Sequence, residues 1–454
     1  MKSCDQGPAP CRGAARHAEP EDLAAERTLP LGVRHLFWQK GALCILCLAT
    51  PALAASDHLS GDGSGADNER LQAGVYPSEP VLLSDDGLRE PFDPYFDIDW
   101  STALRGTYTK GTRGERFDTR LVPTITLDHQ GSRSAVNFTS SAEIVRPQDG
   151  KIDISALRLN LTSGYQLDSV TAATANANFS QTQDIAGTPG VASNIAIPPE
   201  TLSGGFDLGL TRQFGKFRVG VTGAAQRTVY GDTTQTDGVI VDNSDQDVWA
   251  LDSGLRVGFQ ATPIFEIFGQ AGLGRDAFDQ PSSVLLVKTD ATDATIEGGV
   301  TGRWNNILEA TVSTGLNLRR FDEASLGEFT TQLYDASVTF SPDPTWDFTA
   351  GFSTIVAPPG PQSSGTSRVE YAADLDVAYT VNSWLALRAK ADWSTARFTN
   401  SPETERGYGW GMGADYNVNA HTALTADYSY KKSTSSLEGP EDAHTVAMGV
   451  TLSR

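Results

Sequence analysis

The chain has 454 residues, of which 20% are charged, 9% are aromatic and 3 are Met, and its formal net charge at pH 7 is −21. Long Leu-rich stretches are missing, so the composition excludes helical bundles, coiled coils and polytopic helical membrane proteins. It also excludes a nucleic-acid-binding protein, which needs clustered Lys and Arg residues to neutralise phosphates. The mean hydropathy of −0.28 is typical of soluble proteins, but also of transmembrane β-barrels, because each of their strands is apolar on one face only.

The N-terminal residues have the features of an export signal. Residues 34–54 contain a basic start around Arg34 and Lys40, a short apolar run and the small residues that precede a cleavage site, so we predict a signal peptide cleaved after Ala54. We interpret residues 1–33 as a disordered extension or as the product of a misassigned start codon. All four Cys residues precede Ala54, so the cleaved protein would contain no thiol for a disulfide, a metal site or a nucleophile.

The next segment, residues 55–96, is polar, contains many Asp, Gly and Pro residues and shows no periodicity. We predict that it forms a flexible periplasmic arm. Residues 97–454, in contrast, alternate between apolar and polar in about eighteen segments of roughly 11–15 residues, and this period of two indicates β-strands with one apolar face. Such strands are longer than the usual ~5–6 residues of soluble proteins and suit a tilted crossing of a bilayer.

The connections between the segments indicate the same fold. Tight turns such as Thr262-Pro263 and Asn382-Ser383 alternate with longer loops, as in outer-membrane barrels. An open sheet edge would leave backbone groups unpaired in hydrocarbon, so the sheet must close, and bacterial barrels close with an even number of strands. We therefore predict an all-β fold, a transmembrane antiparallel β-barrel of about 18 strands, with 16 strands as the alternative. The longer loops are predicted at residues 182–200, 231–246, 277–292, 322–328, 358–366 and 433–442.

Aromatic residues concentrate near the predicted strand ends and indicate two girdles, in which each ring places its body in lipid and its polar edge among headgroups. The girdle on the short-turn side is predicted to contain Trp100, Phe214, Phe217, Phe265, Trp304, Phe340, Trp346, Trp384 and Tyr416. The girdle on the long-loop side is predicted to contain Tyr108, Phe117, Tyr230, Trp249, Phe321, Trp393, Phe398, Tyr408, Tyr428 and Tyr430.

Charged residues lie on the strand faces opposite the apolar ones. An Arg or Lys facing lipid at the midplane costs about 2–4 kcal/mol, so these residues are expected to face the lumen. Two interpretations remain open: the charges line a hydrated pore and select solutes by their field, or cross-strand ion pairs merely satisfy the wall. The candidate lumen-lining residues are Arg105, Arg120, Arg158, Arg218, Arg256, Arg303, Arg319, Arg388, Glu266, Glu297, Glu309, Asp374 and Asp376.

The start of the periodic region resembles a known family. The motif EPFDP at residues 90–94, followed by Trp100, resembles the start of the outer-membrane proteins of the "beta-barrel porin 2" type in Proteobacteria, as do the turn-strand units at residues 262–266 and 381–385. The resemblance covers about residues 85–454 and implies a location in the cell outer membrane. Some relatives lie beside exopolysaccharide export genes, which implies a role in export. Unlike many barrels, the chain ends in Arg454 and not in an aromatic residue.

No motif for catalysis, cofactor binding or metal binding stands out. The His residues after Ala54 are His58, His129, His421 and His444; none falls at mid-wall beside a Ser, and no G-x-S-x-G motif occurs, so we expect no catalytic residues. The Asp-rich loop at 231–247 lacks the spacing of an EF-hand. We therefore predict no metal site and no cofactor.

These observations favour a passive channel for hydrophilic solutes or an exit conduit for an exported polysaccharide. The alternative is a non-conducting barrel with a structural or surface-binding role, and an enzyme ranks third. The expected partners are outer-membrane lipid and lipopolysaccharide, the outer-membrane insertion machinery and periplasmic export components, with no nucleic acid among them.

Overall fold

The computed structural model describes residues 96–454, except residues 113, 149, 187–190, 192–193, 306, 362–364 and 437–438. The predictions for residues 1–33, 34–54 and 55–95 therefore lie outside the described residues. Within the described part of the chain, eighteen strands of 12 to 17 residues form one sheet, and three short strands form another. No helix in this part has the length and apolar character needed to cross a membrane.

The strands are as follows: β1 Asp97–Gly111, β2 Gly114–Gln130, β3 Ser134–Pro147, β4 Asp153–Asp168, β5 Thr171–Gln183, β6 Ile195–Ile197, β7 Glu200–Phe214, β8 Phe217–Tyr230, β9 Thr233–Gln235, β10 Ile240–Val241, β11 Val248–Gln260, β12 Phe265–Phe278, β13 Ala291–Trp304, β14 Leu308–Phe321, β15 Glu328–Asp343, β16 Trp346–Ala357, β17 Arg368–Asn382, β18 Leu385–Phe398, β19 Thr404–Asn419, β20 Thr422–Ser435 and β21 Gly439–Ser453. A short 3-10 helix, Ser244–Gln246, precedes β11.

The large sheet closes on itself because its first and last strands pair. Strands β1 and β21 are antiparallel, in a register that runs from Ser101 opposite Ser453 to Gly111 opposite Ala443. The backbone N–H of Arg454 also donates to the carbonyl oxygen of Trp100 at 3.1 Å. This closed barrel confirms the predicted fold class and the count of eighteen strands, so the alternative of sixteen is wrong.

The alternation of side chains gives the wall two different faces. On β14, Leu316 and Leu318 are 50% and 42% exposed, whereas Asn317 and Arg319 are 4% and 1% exposed. Successive side chains point to opposite faces of a strand, so the exposed apolar set faces outward to lipid and the polar set faces the lumen. The same alternation holds along the other barrel strands and places each charged residue on a definite side.

Short turns lie at one end of the barrel and the longer loops at the other. The turn between β7 and β8 has only two residues, and Gly215 adopts a φ of +61°, which suits Gly in a tight hairpin. One predicted long loop, 433–442, is wrong: β20 and β21 remain paired up to Ser435 opposite Gly439, which leaves residues 436–438 as the connection. Polar residues beyond the bilayer continue the backbone ladder, so polarity alone did not mark the strand end.

Buried apolar side chains concentrate inside the barrel at its long-loop end. They include Val145, Ala156, Val248, Phe278, Ala291, Ala357 and Ala443, which lie near those ends of their strands. Three residues predicted for the outer girdle, Tyr230, Phe321 and Phe398, belong to this group, with exposures of 9%, 3% and 4%. Their assignment to the girdle is wrong because each has the inward parity of its strand, as Phe321 does with Arg319.

The two faces respond differently to the same substitution. Val221 is 52% exposed on the outer face of β8, and the next residue, Thr222, is exposed on the inner face. We expect Val221→Arg to lower the free energy of unfolding by about 2–4 kcal/mol if it lies near the midplane. Thr222→Arg is the matched control, and its charge stays in the hydrated lumen. Reversible unfolding in lipid vesicles measures both values, and equal costs would contradict the assigned faces.

Candidate functional site

The inner face of the barrel carries all the predicted lumen residues. Each of them lies on the side of its strand opposite the exposed apolar residues. They occupy β1 (Arg105), β2 (Arg120), β4 (Arg158), β8 (Arg218), β11 (Arg256), β12 (Glu266), β13 (Glu297 and Arg303), β14 (Glu309 and Arg319), β17 (Asp374 and Asp376) and β18 (Arg388).

Near the short-turn end, three Arg side chains converge on one buried carboxylate. The side chain of Glu266 is 3% exposed and lies 3.5 Å from Arg218, 3.5 Å from Arg256 and 3.2 Å from Arg303. These Arg residues come from three different strands, and the guanidinium of Arg256 also lies 3.6 Å from the ring centroid of Phe268. Glu266 thus ties four neighbouring strands together and leaves an excess of positive charge on this part of the inner wall.

Near the long-loop end, the most buried cation is Arg319, which is 1% exposed. It forms ion pairs with Asp276 at 2.5 Å and Asp293 at 2.9 Å. A guanidinium buried to this degree persists only when its charge is matched, and two carboxylates match it here through Nη1 and Nη2, so we interpret this group as structural. The sequence indicated Arg319 but not its two partners, because strand register decides which carboxylates come within reach.

Other inward charges form similar pairs. Arg120 lies 2.6 Å from Glu143, and Arg388 lies 2.6 Å from Asp415 and 3.0 Å from Asp427. Two paired Arg residues were missed by sequence reasoning. They are Arg116, which pairs with Asp118 at 2.7 Å, and Arg368, which lies 3.1 Å from Glu370 and 3.5 Å from Glu405. Their positions among the inward-facing residues of β2 and β17 were the sequence signal that could have identified them.

A second set of inward charges has no ion pair among the described residues. Arg105 and Arg158 belong to this set on one part of the wall, and Asp335, Asp374 and Asp376 belong to it on another. In an eighteen-strand ring, strands nine places apart face each other, so β4 with Arg158 faces β16, which lies between the acidic strands β15 and β17. Arg158 and these carboxylates therefore lie on opposing parts of the lumen wall. Asp376 has the inward Lys390 opposite it in the strand register, without an ion pair between the two among the described residues.

The long-loop mouth is narrowed by inward-directed chain. After β5, the carbonyl oxygen of Ala186 accepts a hydrogen bond from the inward side chain of Arg116 at 3.4 Å. Burial raises the pKa of the nearby Asp184 carboxyl, and the charge of Lys431 on β20 partly offsets this effect. The small sheet of β6, β9 and β10 joins this loop to the one after β8. Residues 187–190 of the predicted loop 182–200 lie outside the described residues.

Two bidentate ion pairs fasten loops to the outer rim of this mouth. Arg227 holds Asp279 at 3.1 and 2.5 Å, and Arg275 holds Asp322 at 2.7 and 2.5 Å. The guanidinium hydrogen bonds lower the pKa of each carboxyl from its usual range. Both carboxylates are about half exposed, so their pairs orient loops more than they stabilise the barrel.

The described residues contain no group of three or more His, Cys, Asp or Glu placed to hold a metal ion. The ring centroid of His129 lies 5.1 Å from that of Phe96, and His421 Nδ1 contacts the carbonyl oxygen of Ser453 at 3.1 Å. His444 Nδ1 lies 2.8 Å from the hydroxyl of Tyr428 on the outer face. His58 lies outside the described residues.

Comparisons with known proteins agree with a barrel of the outer membrane. The family model described as "Putative beta-barrel porin 2" matches residues 101–454. No curated protein sequence is significantly similar to the chain. Among solved structures, the outer membrane protein OpdK from Pseudomonas aeruginosa is 9% identical, with a TM-score of 0.39, and the match covers 79% of this chain and 99% of that one. OccK5 (OpdH) from the same organism is 13% identical, with a TM-score of 0.40 and coverages of 79% and 98%.

Removing the buried carboxylate should destabilise the wall. Glu266→Gln leaves three Arg side chains without their common partner, so we expect the free energy of unfolding to fall by about 2 kcal/mol. This loss is smaller than that for breaking a fully buried ion pair, because the Arg residues are partly hydrated. Glu309→Gln is the control, since Glu309 contacts Arg303 alone and is 35% exposed, and we expect a loss below about 1 kcal/mol. Unfolding in vesicles measures both, and a larger loss for Glu309 would contradict the assigned role of Glu266.

The rim pairs should respond to acid. The pKa of Asp322 is lowered in the folded protein, so its pair with Arg275 contributes fully above the unfolded pKa of about 4 and is lost as pH falls through the lower folded pKa. We expect amide hydrogen exchange in residues 322–327 to accelerate, after correction for intrinsic rates, as the pH is lowered below about 4. Asp322→Asn should show the fast exchange already at pH 7. If amide exchange in this loop changes neither with pH nor with Asp322→Asn, the proposed role of the ion pair is contradicted.

Proposed function

This chain belongs to the "beta-barrel porin 2" family of outer-membrane barrels, and from this premise we propose that it is a passive channel for small hydrophilic solutes. Eighteen strands enclose a lumen wide enough for water unless loops fill it. Toward the short-turn end, the described inner face is polar and partly hydrated, as the 35% exposure of Arg218 shows. A hydrated, charged interior suits diffusion of polar solutes across the outer membrane.

The observation that carries this proposal is the set of inward charges without an ion pair among the described residues, with Arg158 and the carboxylates on opposing walls. Arg158 lies on β4, and Asp374 and Asp376 lie on β17, about half the ring away. Arg105 on β1 lies nearer to β17 in the ring. Charges that served only to satisfy the wall would be paired with neighbours, as Arg319 is. Unpaired charges of opposite sign across a lumen create a transverse field, which orients dipolar solutes and selects among ions.

A saccharide is one class of solute that the remaining wall suits. Apart from Glu143 and Arg158, much of the inner faces of β3, β4 and β5 carries uncharged amide and hydroxyl groups, which match the hydrogen-bonding groups of sugars. This wall supports the more specific proposal of an exit conduit for an exported polysaccharide. The residues of this wall include Asn137, Thr139, Asn160, Thr162, Thr174, Asn176 and Asn178.

The mouth favours a second candidate, a non-conducting barrel with a structural or surface role. The buried Val191 and Ile195 of the loop after β5 form a small apolar cluster at this end. If these loops remain closed, the lumen opens at the short-turn end alone. The conductance of the purified barrel separates the two candidates.

The deciding experiment is single-channel recording of residues 55–454 in a planar bilayer with a salt gradient. We expect stable open steps. The double variant Arg105→Gln/Arg158→Gln should shift the reversal potential toward cation selectivity, and Asp374→Asn/Asp376→Asn should shift it toward anion selectivity, because each removes uncompensated charge of one sign. Arg320→Gln on the outer face is the control and should leave it unchanged. A silent protein that still shows heat-modifiable migration would overturn the channel and leave the non-conducting barrel.

A further inference from the structure

Three basic side chains lie close together on the outer face of the barrel at its long-loop end. Arg397 and Arg406 are exposed, and Lys432 is half-buried. Each lies an even number of residues from a lipid-facing aromatic residue of its own strand and so on the same face. These aromatic residues are Trp393 on β18, Tyr408 on β19 and Tyr430 on β20. The three cations therefore point away from the lumen, at the level where the strands leave the bilayer.

The strand register places these cations next to one another. Arg397 pairs with Thr404, two residues from Arg406 along β19, and Lys432 pairs with Tyr408, two residues from Arg406 on the other side. Diagonal neighbours of this kind lie about 7–8 Å apart, within reach of long side chains. The guanidinium groups and the ammonium group can thus converge on one ligand.

The charge of this group is less compensated than that of Arg227 and Arg275 on the same rim. Arg227 and Arg275 are each neutralised by a bidentate Asp. Arg397, Arg406 and Lys432 form no ion pair among the described residues. Asp442 lies opposite Lys432 in the strand register, and its carboxylate accepts a hydrogen bond from the Thr112 hydroxyl. One carboxylate beside three cations leaves an excess of positive charge. In a chain of net charge −21, a persistent local excess of positive charge indicates an anionic partner.

An aromatic cluster lies directly on the membrane side of these cations. Tyr408 and Tyr430 have ring centroids 6.1 Å apart, and Trp410 lies 5.3 Å from Tyr428. His444 lies 4.8 Å from Tyr430 and completes the cluster. Rings of this type mark the boundary between hydrocarbon and headgroups. The three cations are therefore at headgroup level in the outer leaflet.

We propose that Arg397, Arg406 and Lys432 form a binding site for the phosphates of lipid A, the phosphorylated glycolipid anchor of lipopolysaccharide. The cations match its phosphate groups by charge-assisted hydrogen bonds, for which Arg is well suited. The aromatic cluster contacts the sugar rings and the first carbons of the acyl chains. The long-loop end of outer-membrane barrels faces the outer leaflet, where this lipid resides. The site depends on the outer-membrane location and is independent of whether the lumen conducts.

The test measures binding of diphosphoryl lipid A to the delipidated full barrel in detergent, by native mass spectrometry over a titration. The variant is Arg397→Gln/Arg406→Gln/Lys432→Gln, and we expect at least a roughly tenfold loss of affinity. Arg227→Gln/Arg275→Gln removes two cations from the same rim and is the matched control, with unchanged affinity expected. Monophosphoryl lipid A should bind more weakly than the diphosphoryl form, and phosphatidylglycerol should not displace either.

The outcomes separate this site from general attraction to anionic lipid. Equal binding by the triple variant and the unsubstituted barrel would overturn the proposal, and so would displacement of lipid A by an equal concentration of phosphatidylglycerol. Heat-modifiable migration shows whether each variant is folded. If the triple variant does not fold, Arg406→Gln and Arg406→Lys replace it, and weaker binding by the Gln form with recovery in the Lys form is the expected result. Equal affinity of these two forms and the unsubstituted barrel would overturn the proposal as well.

Discussion

The fold depends on one constraint: within hydrocarbon, every backbone N–H and C=O must find a partner in the protein. The pairing of β1 with β21 satisfies it by removing the last free edges of the sheet. Once the wall is closed, the period of two along each strand divides the side chains into a lipid-facing set and a lumen-facing set. The polar interior and the apolar exterior are two results of the same closure.

The inward charges then fall into two groups with different consequences. Paired charges such as Arg319 with Asp276 and Asp293 are deeply buried, and their ion pairs fix the relative positions of strands. Charges such as Arg158 and Asp376 have no ion pair among the described residues and retain a field in the lumen. Pairing therefore separates the part of the wall that holds the barrel together from the part that can act on a solute.

Sequence periodicity predicted the barrel, its strand number and the inward side of the candidate lumen residues, because these follow from local alternation. It did not predict that Arg218, Arg256 and Arg303 meet at Glu266, since that depends on the register between four strands. Phe321 was wrongly assigned to the girdle because it lies near a strand end. The sequence did carry a signal against this assignment, since Phe321 is two residues from Arg319 and therefore on the same face of β14. The inward course of the loop after β5 depends on tertiary contacts such as Arg116 with Ala186, for which the sequence carries no periodic pattern.

The central claim is that neighbouring residues of one strand face water and lipid in alternation. Leu375 and Asp376 on β17 test it most directly, because both are exposed and only the surrounding medium differs. Every native Cys lies within the first 54 residues, so Leu375→Cys and Asp376→Cys in residues 55–454 are the sole thiols. With the barrel reconstituted in lipid vesicles and a water-soluble thiol reagent on both sides, the account predicts labelling at position 376 and protection at position 375. Equal labelling, or the reverse order, would contradict it.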